Sequence, residues 1–276
     1  MIELNPKNKE VLAPNLNGED LNNSYKQYPS RWAINFKDFD ELKCKTDYPE
    51  CYEIILEYVK PERDKNSFSK SAKEKWWLYE RSRPELYSTI KYLKKVLVVA
   101  QTSKTVAFCF VPQGYIYAMG TVVFAYDKHS HFAILQSTIH NQWAWKNGST
   151  MKTDLRYTPT DVFETFPFPN NIASVKENIL QEIGEIYHNT RWQLMLSLKL
   201  GLTKIYNFFH TKDLSISEIQ RTSKQDEVIC KKAFDDITKL RELHKQMDEV
   251  VLEAYGWSDI QLRHDFYEVD YLPEND

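Results

Sequence analysis

The sequence contains little glycine, with seven residues in a chain of 276. Glycine-rich loops let a backbone approach phosphate groups closely, so this scarcity leaves little material for a nucleotide-binding cradle. Neither the Gly-x-x-x-x-Gly-Lys loop of P-loop proteins nor the Gly-x-Ser-x-Gly elbow of α/β-hydrolases occurs. The sequence therefore excludes these two motif-defined enzyme classes.

The chain also lacks paired cysteines and long apolar runs. No Cys-x-x-Cys pair occurs among its four cysteines, Cys44, Cys51, Cys109 and Cys230. Because no signal peptide precedes them, they are expected to be reduced thiols of a cytoplasmic protein. The longest apolar stretches, near 96–100 and 122–125, have the length of strands. No run of about eighteen apolar residues predicts a transmembrane helix.

Two further catalytic motifs are missing. An adenine amino-methyltransferase holds the exocyclic amine with an Asn/Asp-Pro-Pro-aromatic tetrad, but the Asn-Pro of this chain, Asn5-Pro6, is followed by Lys7. A metal-dependent nuclease needs clustered carboxylates with a nearby lysine. Glu41 and Lys43 have the Glu-x-Lys spacing, but no Pro-Asp dipeptide occurs. We therefore predict no catalytic residue, and a nuclease that uses Glu41 and Lys43 stays an alternative.

The histidines do not form a metal-binding motif. His129, His131 and His140 lie close in sequence, but no cysteine or further ligand follows at the spacing of a zinc site. We therefore expect no metal in this chain and assign these histidines to helix caps or to the surface.

The charge is unevenly distributed along the chain. The net charge is −3, but residues 1–170 hold 23 basic against 20 acidic residues. Segment 60–104 alone holds 12 basic against 5 acidic residues. A local basic region can bind a polyanion, because phosphate contacts are local and are screened beyond about 10 Å. The alternative is that these lysines belong to ordinary solvated helix faces.

The spacing of apolar residues predicts a mixture of strands and helices. A period of two predicts strands, over 31–36, 96–102, 106–111 and 115–126. Apolar residues at every third or fourth position predict helices, over 48–65, 72–95 with a break near Pro84, 130–146, 172–209 and 226–255. The polar segment 210–224 is expected to interrupt the helices, and Gly256 is expected to end the last one.

These elements predict an α/β (or α+β) domain with a central twisted sheet, followed by a C-terminal antiparallel helical subdomain. The expected boundaries are 1–170 and 171–276. Two long antiparallel helices joined by a polar loop can act as a spacer or docking arm. Alternatively, the helices simply cover the sheet.

Polar residues in the predicted turns suit contacts with nucleic acid. Gln and Asn can contact adenine with two hydrogen bonds, and Lys or Arg can contact guanine in the same way. The base-contacting candidates are Gln101, Ser103, Lys104, Gln113, Tyr115 and Tyr117. The phosphate-contacting candidates are Arg31, Lys73, Lys75, Ser149, Lys152, Thr153 and Arg156. For each of them the alternative is an ordinary solvated turn, and we expect Trp76 and Trp77 to lie in a core.

Segment 155–169, LRYTPTDVFETFPFP, is aromatic and punctuated by proline, which predicts a packed connector. It resembles the end of the target recognition domain of type IIG restriction–modification enzymes, in which nuclease, adenine methyltransferase and recognition domain share one polypeptide. Further segments resemble the same family, among them NGEDL at 17–21, PSRW at 29–32, SKTVAF at 103–108, HFAILQS at 131–137, LGLTK at 200–204 and AYGW at 254–257.

This resemblance implies that residues 12–169 are a target recognition domain that binds the major groove of double-stranded DNA. It further implies a methyltransferase and nuclease domain or subunit as partner, to which S-adenosylmethionine and Mg²⁺ would belong. The chain begins at its own Met1 without the methyltransferase motifs of its relatives. We therefore expect a fragment, a split specificity subunit or the remnant of a broken gene, without catalytic activity of its own.

Two other functions stay open at this point. The chain could be a protein–protein adaptor, which predicts an exposed apolar stripe along 226–255, or a non-functional remnant. It could instead be the metal-dependent nuclease described above.

Overall fold

A computed structural model describes residues 1–65, 70–170, 174–257, 259–264 and 266. The chain divides into two compact units. Unit 1 comprises Met1–Leu16, Pro29–Tyr92 and Gln113–Ile116, and unit 2 comprises Asn17–Tyr28, Leu93–Pro112 and Tyr117–Asp276. None of the described helices is both long and apolar enough to cross a membrane.

The described strands are short, in the order β1 (Leu12–Leu16), β2 (Arg31–Ile34), β3 (Lys95–Ala100), β4 (Thr102–Ser103), β5 (Cys109–Pro112), β6 (Ile116–Tyr117), β7 (Thr121–Phe124), β8 (Ser149–Met151) and β9 (Asp154–Arg156). They form small sheets, which together with the helices confirm the mixed α/β class.

The described helices vary more in length, in the order α1 (Gly18–Asn23), α2 (Glu41–Asp47), α3 (Pro49–Tyr58), α4 (Lys60–Lys65), α5 (Lys70–Glu74), α6 (Pro84–Ile90), α7 (His129–Gln136), α8 (Thr138–Asn147), α9 (Ser174–Leu198), α10 (Leu202–His210), α11 (Ile216–Ser223) and α12 (Glu227–Tyr255). A short 3₁₀ helix covers Pro6–Glu10, and a π-helical turn covers Pro159–Phe163.

Unit 1 is built on an antiparallel pair of strands. β1 pairs with β2 in the register Leu12↔Ile34 to Asn15↔Arg31. The helices that follow enclose a small core of buried residues, namely Val11, Phe36, Cys44, Tyr48, Cys51, Tyr52, Ile55 and Trp76. Trp76 is therefore a core residue, as predicted, and half-buried Trp77 donates its indole N–H to the carbonyl of Phe39 at 2.9 Å.

Unit 2 contains the main apolar sheet, in the order β5-β3-β7. β3 pairs antiparallel with both neighbours, for example Leu97 with Phe110 and Val98 with Val123. All residues from Val96 to Ala100 are buried. A continuous buried run of this kind indicates a strand that is covered on both faces.

The two longest helices of unit 2 lie antiparallel. Lys176 near the start of α9 pairs with Glu253 near the end of α12, and Tyr187 and His244 meet further along both helices. Ile237, Leu240, Leu243, Met247 and Val251 of α12 are buried and Val250 is half-buried, so the exposed stripe expected of an adaptor is not seen along that part of the helix. Gly256 ends α12 with φ 74°, as predicted.

Several predicted elements differ from the structure; the predicted helix 172–209, for example, divides into α9 and α10. The predicted break at 210–224 contains α11, because Ser215 caps the helix by accepting from the Glu218 N–H at 3.2 Å. The predicted helix 130–146 divides at Ser137, whose side chain caps α8. The predicted strand 115–126 divides into β6 and β7, since a turn brings the Thr121 N–H to the carbonyl of Ala118 at 3.0 Å.

The predicted connector is packed, and Tyr157, Val162 and Phe166 are buried within it. Trp143 donates its indole N–H to the carbonyl of Val162 at 3.0 Å, which holds the segment against α8. The packing is therefore confirmed, whereas the domain boundary at residue 170 stays a prediction.

A buried arginine links several elements of unit 2. Arg191 of α9 is 1% exposed and donates to Tyr206 Oη at 2.7 Å and to Gln136 Oε1 at 3.2 Å. It also donates to the carbonyl of Phe108. Gln136 in turn accepts from the Phe108 N–H at 3.0 Å and donates to the carbonyl of Val106 at 3.1 Å. The segment that leads into β5 is thereby tied to α7, α9 and α10.

Removing this cation should destabilise unit 2 strongly. We expect Arg191→Met to lower the free energy of unfolding by about 3 kcal/mol, because buried acceptors lose their donor. Urea denaturation measures the change. The exposed Arg221 of α11 supplies the control, since Arg221→Met should change stability by less than about 0.5 kcal/mol. A loss below about 1 kcal/mol for Arg191→Met would contradict the assigned role.

Several histidines of unit 2 are buried, and the assignment of His140 to a helix cap or the surface is wrong, because its side chain is fully enclosed in the core. Burial lowers the pKa of His140 to about 3, and its Nε2 lies 3.1 Å from Tyr157 Oη. Burial also lowers the pKa of His210 to about 4 and that of His188 well below its ordinary value. His131 stacks on Tyr126 with ring centroids 4.0 Å apart, and burial lowers its pKa as well.

These depressed pKa values predict acid sensitivity. The unfolded chain binds protons at these histidines below about pH 6.5, whereas the folded chain does not. Stability should therefore be full above pH 6.5 and fall as the pH decreases towards the folded pKa values. We expect His140→Gln, which keeps a polar group but cannot titrate, to remove about 1.4 kcal/mol per pH unit of this dependence between pH 6 and 4. Urea denaturation at a series of pH values tests this, and equal slopes for both proteins would disprove it.

Candidate nucleic-acid interface

A small polar sheet in unit 2 brings together residues that are far apart in sequence. Its strand order is β4-β9-β8, and all its pairs are antiparallel. Arg156 of β9 pairs with Thr102 on one side and with Ser149 on the other. Directly paired residues project from the same face of a sheet. All three residues are exposed, so they form one polar face.

The opposite face of this sheet is anchored in the core. Leu155, which pairs with Ser103 and Thr150, is 2% exposed, and Tyr157 directly after β9 is 1% exposed. The Tyr157 N–H donates to the carbonyl of Gln101 at 2.7 Å and extends the pairing of β4 with β9. A Cβ at Gly148 would lie 2.7 Å from a methyl of Leu155, so glycine permits this close approach.

β8 and β9 form a hairpin with a two-residue tip. Met151 pairs with Asp154, which leaves Lys152 and Thr153 in the turn. Both are exposed, and Lys152 has φ 58°, in the left-handed region that tight turns use. The sequence places a lysine and a hydroxyl side chain at the tip of this hairpin.

The cations of the polar sheet are available for other partners. Lys104, Lys152 and Arg156 are exposed, and none of them takes part in an ion pair with the residues that the structure describes. Asp154, half-buried, is the acidic residue in the strands of this sheet. The exposed face therefore carries positive charge in an otherwise acidic chain.

A polar cleft of about 330 Å³ lies beside β4, between α1 and α10. Asn22 donates to Ser103 Oγ at 3.2 Å, and the Thr105 N–H donates to the same oxygen at 3.2 Å. Thr203 donates to Asn23 Oδ1 at 3.2 Å across the cleft. Sequence analysis did not single out Asn22, Asn23 or Thr203 as contact residues, because they approach Ser103 through the tertiary fold.

The structure therefore brings together about half of the predicted contact residues. The base-contacting candidates Gln101, Ser103 and Lys104 and the phosphate-contacting candidates Ser149, Lys152, Thr153 and Arg156 belong to the polar sheet and its turns. Gln101 is half-buried, and its backbone N–H donates to the carbonyl of Gly120 at 2.8 Å. The roles of these side chains stay predictions.

The remaining candidates do not belong to the strands or turns of this sheet. Arg31, Lys73, Lys75 and Gln113 are exposed residues of unit 1. Tyr115 of unit 1 lines a pocket of about 460 Å³ with Pro84 and Tyr87, among other residues. Tyr117 belongs to unit 2 and is 5% exposed, so its side chain is part of the packing of β6.

The geometry of Glu41 does not favour the nuclease alternative. Glu41 and Lys43 lie two positions apart on α2, a spacing that directs side chains to different faces of a helix. Glu41 Oε1 accepts from Tyr52 Oη at 2.6 Å and pairs with Lys45 at 3.2 Å. The hydrogen bond from Tyr52, aided by Lys45, lowers the pKa of Glu41. Among the described residues, no group of three or more His, Cys, Asp or Glu could hold a metal ion.

Comparisons with known proteins identify the fold and the family of this chain. The solved structure described as the type IIL restriction–modification enzyme MmeI in complex with DNA is similar to this chain, with a TM-score of 0.59 and 16% sequence identity. The similarity covers 93% of this chain and 30% of that enzyme, and at this identity it shows the fold. No curated protein matches the chain.

A match to a family model identifies the family as well as the fold. Residues 1–170 match the family model described as "MmeI, target recognition domain". This match covers more than half of the chain, and it confirms the resemblance to target recognition domains of restriction–modification enzymes. The chain belongs to the MmeI target recognition domain family.

Proposed function

We propose that this chain recognises a short sequence of double-stranded DNA for a restriction–modification enzyme. Membership of the target recognition domain family supports the general role. The proposed location of the DNA contact rests on the register of the polar sheet. This register places Thr102, Arg156 and Ser149 side by side on one exposed face. We assign the DNA contact to this face.

The dimensions and chemistry of the β8–β9 hairpin suit this assignment. The major groove is about 12 Å wide and admits a two-stranded β-ribbon. Arg156, Ser149, Lys152 and Thr153 offer guanidinium, hydroxyl and ammonium donors, and phosphate oxygens accept from all three kinds of group. These residues would hold the backbone of the DNA and fix the register of the protein along it.

Base contacts would come from the neighbouring strand and cleft. Lys104 can donate to the O6 and N7 acceptors of guanine, and Gln101 can contact adenine with two hydrogen bonds. Ser103 pairs with Leu155 and therefore faces the cleft rather than the polar face. There Asn22 holds its hydroxyl in a defined position, and a base contact by Ser103 would come from the cleft. A fixed position is what discrimination between bases requires, because a misplaced donor satisfies several bases equally well.

Catalysis would belong to a separate domain or subunit. We propose a methyltransferase with S-adenosylmethionine, and a Mg²⁺-dependent nuclease, as the partner that acts where this chain binds. The solved relative is a restriction–modification enzyme of which this chain spans 30% of the length. Such a system acts on the DNA of the cell, and we propose a cytoplasmic location for this chain.

Selection from a random pool of duplexes tests the proposed function directly. At about 50 mM salt, where phosphate contacts are strong, we expect the purified chain to enrich one motif of several base pairs. Binding without enrichment would reject sequence recognition by the chain alone. The absence of any binding would favour the adaptor or remnant alternative.

Substitutions in the polar sheet should separate the two kinds of contact. We expect Lys152→Ala and Arg156→Ala to weaken binding to all sequences similarly and to lower the slope of log K against log salt by about 0.9 each. We expect Lys104→Ala to cost about 1–3 kcal/mol on the enriched motif and to relax the preference at one position. Fluorescence anisotropy at several salt concentrations measures both effects.

The control for this series is Lys231→Ala, which removes an exposed lysine that pairs with Glu227 on α12. This variant should bind like the unaltered chain. Equal losses of DNA affinity for Lys231→Ala and Arg156→Ala would show that the polar sheet is not part of the DNA interface, even if the chain binds a specific motif.

A further inference from the structure

One wall of the cleft beside β4 lies outside the segment that matches the recognition-domain family. The cleft is lined by β4, by α1 and by the start of α10, which contributes Thr203 and Asn207. The family match ends at residue 170, whereas α10 spans Leu202–His210. The helical part of the chain therefore reaches a cleft that adjoins the proposed DNA contact.

Helix α1 forms the facing wall and is held at both ends. At its start, Asn17 accepts from the Asp20 N–H at 2.9 Å, and Asp20 accepts from the Asn17 N–H at 3.3 Å. At its end, the buried Gln27 donates to the carbonyl of Leu21 at 3.0 Å. A Cβ on Gly18 would lie 2.9 Å from a carbonyl oxygen of the turn before β7, so α1 also packs closely on that turn. The backbone of α1 therefore has a defined position in the fold.

The end of α1 lies directly on the start of α10. A Cβ on Gly201, the residue before α10, would lie 2.5 Å from the carbonyl oxygen of Asn22. This distance is too short for any side chain, so glycine permits the contact. Thr203 adds a hydrogen bond between the same two helices, because its hydroxyl donates to Asn23 Oδ1 at 3.2 Å. A shift of α10 would therefore move the end of α1.

The end of α1 in turn holds the half-buried Ser103 of β4. Asn22 donates to Ser103 Oγ at 3.2 Å, and the Thr105 N–H reaches the same oxygen at 3.2 Å. A serine side chain otherwise exchanges among staggered rotamers, and two contacts to one oxygen select one of them. A continuous path of contacts thus runs from α10 through Asn23 and Asn22 to Ser103.

We propose that Asn22, Asn23 and Thr203 are positioning residues for base recognition by Ser103, and that α10 thereby helps to set the sequence preference of this chain. The inference rests on the proposed DNA contact. Ser103 is the group that touches a base edge in the major groove. A hydroxyl that is held in place discriminates between bases, whereas one that rotates adapts to several of them. The three positioning residues are uncharged, so they alter preference without altering the attraction to phosphate.

Enrichment from a random duplex pool tests this proposal on the intact chain. We expect Asn22→Ala to reduce the preference at one position of the motif about fivefold, the effect of one lost hydrogen bond. Thr203→Val keeps the shape of an exposed side chain and should reduce the preference at the same position about threefold. The slope of log K against log salt should equal that of the unaltered chain in both variants. Melting temperatures verify that each variant is folded.

The matched control is Thr238→Val on α12. Thr238 is exposed, and its hydroxyl donates to the carbonyl of Phe234 at 3.1 Å, away from the cleft. This variant should keep the full preference at every position of the motif. An equal loss in Thr238→Val and Thr203→Val would overturn the role of α10.

Combination with Ser103→Ala separates positioning from direct contact. Ser103→Ala should relax the same position, and adding Asn22→Ala or Thr203→Val should cause no further loss, because the side chain that they position is gone. Additive losses, or a change at another position, would overturn the proposal. Unchanged preference in both single variants would overturn it as well, and an enriched motif would then leave the proposed function intact. A pool without any enriched motif would reject the proposed function itself, and this inference with it.

Discussion

The structure of unit 2 depends on a buried cation that has neutral partners among the residues described. Arg191 donates to a backbone carbonyl, an amide oxygen and a phenol oxygen, and the rings of Phe132, Tyr187 and Tyr206 surround its guanidinium. Removing a full charge from water is costly, and it is tolerated only where several acceptors and π faces replace the hydration. Each acceptor belongs to a different segment of the chain. Arg191 therefore ties the segment that leads into β5, together with α7 and α10, to α9.

This assembly also supports the proposed DNA contact. Phe108, which accepts from Arg191, packs edge-on against Tyr157 with ring centroids 5.9 Å apart. Tyr157 follows β9 directly and bonds to Gln101 before β4. The polar sheet is short, and two or three residues per strand supply few hydrogen bonds of its own. The aromatic core beneath the polar sheet therefore holds its strands in position. The exposed side chains of the sheet keep their places although they are not part of that core.

Much of the fold could be predicted from local patterns, whereas the site could be predicted only in part. Apolar residues at every third or fourth position predicted both ends of α12 almost correctly, because a 29-residue amphipathic helix repeats this pattern many times. The eight-residue α11 was missed, since its signal is the Ser215–Glu218 cap rather than a long stripe. The composition of the predicted turns indicated Lys104 and Arg156 as DNA-contact candidates, each from its own segment. The pairing of Thr102 with Arg156 depends on hydrogen bonds between distant segments, and no local pattern contains that information.

The alternation of β9 has a consequence for how such a protein can change. Leu155 faces inward and belongs to the core, whereas Arg156 and its neighbours Thr102 and Ser149 face outward. Exposed substitutions of this kind alter stability by about 0.5 kcal/mol or less. Selection could therefore replace the outward residues one at a time without a loss of structure. A single scaffold could in this way give rise to many different specificities, with its interior chemistry unchanged.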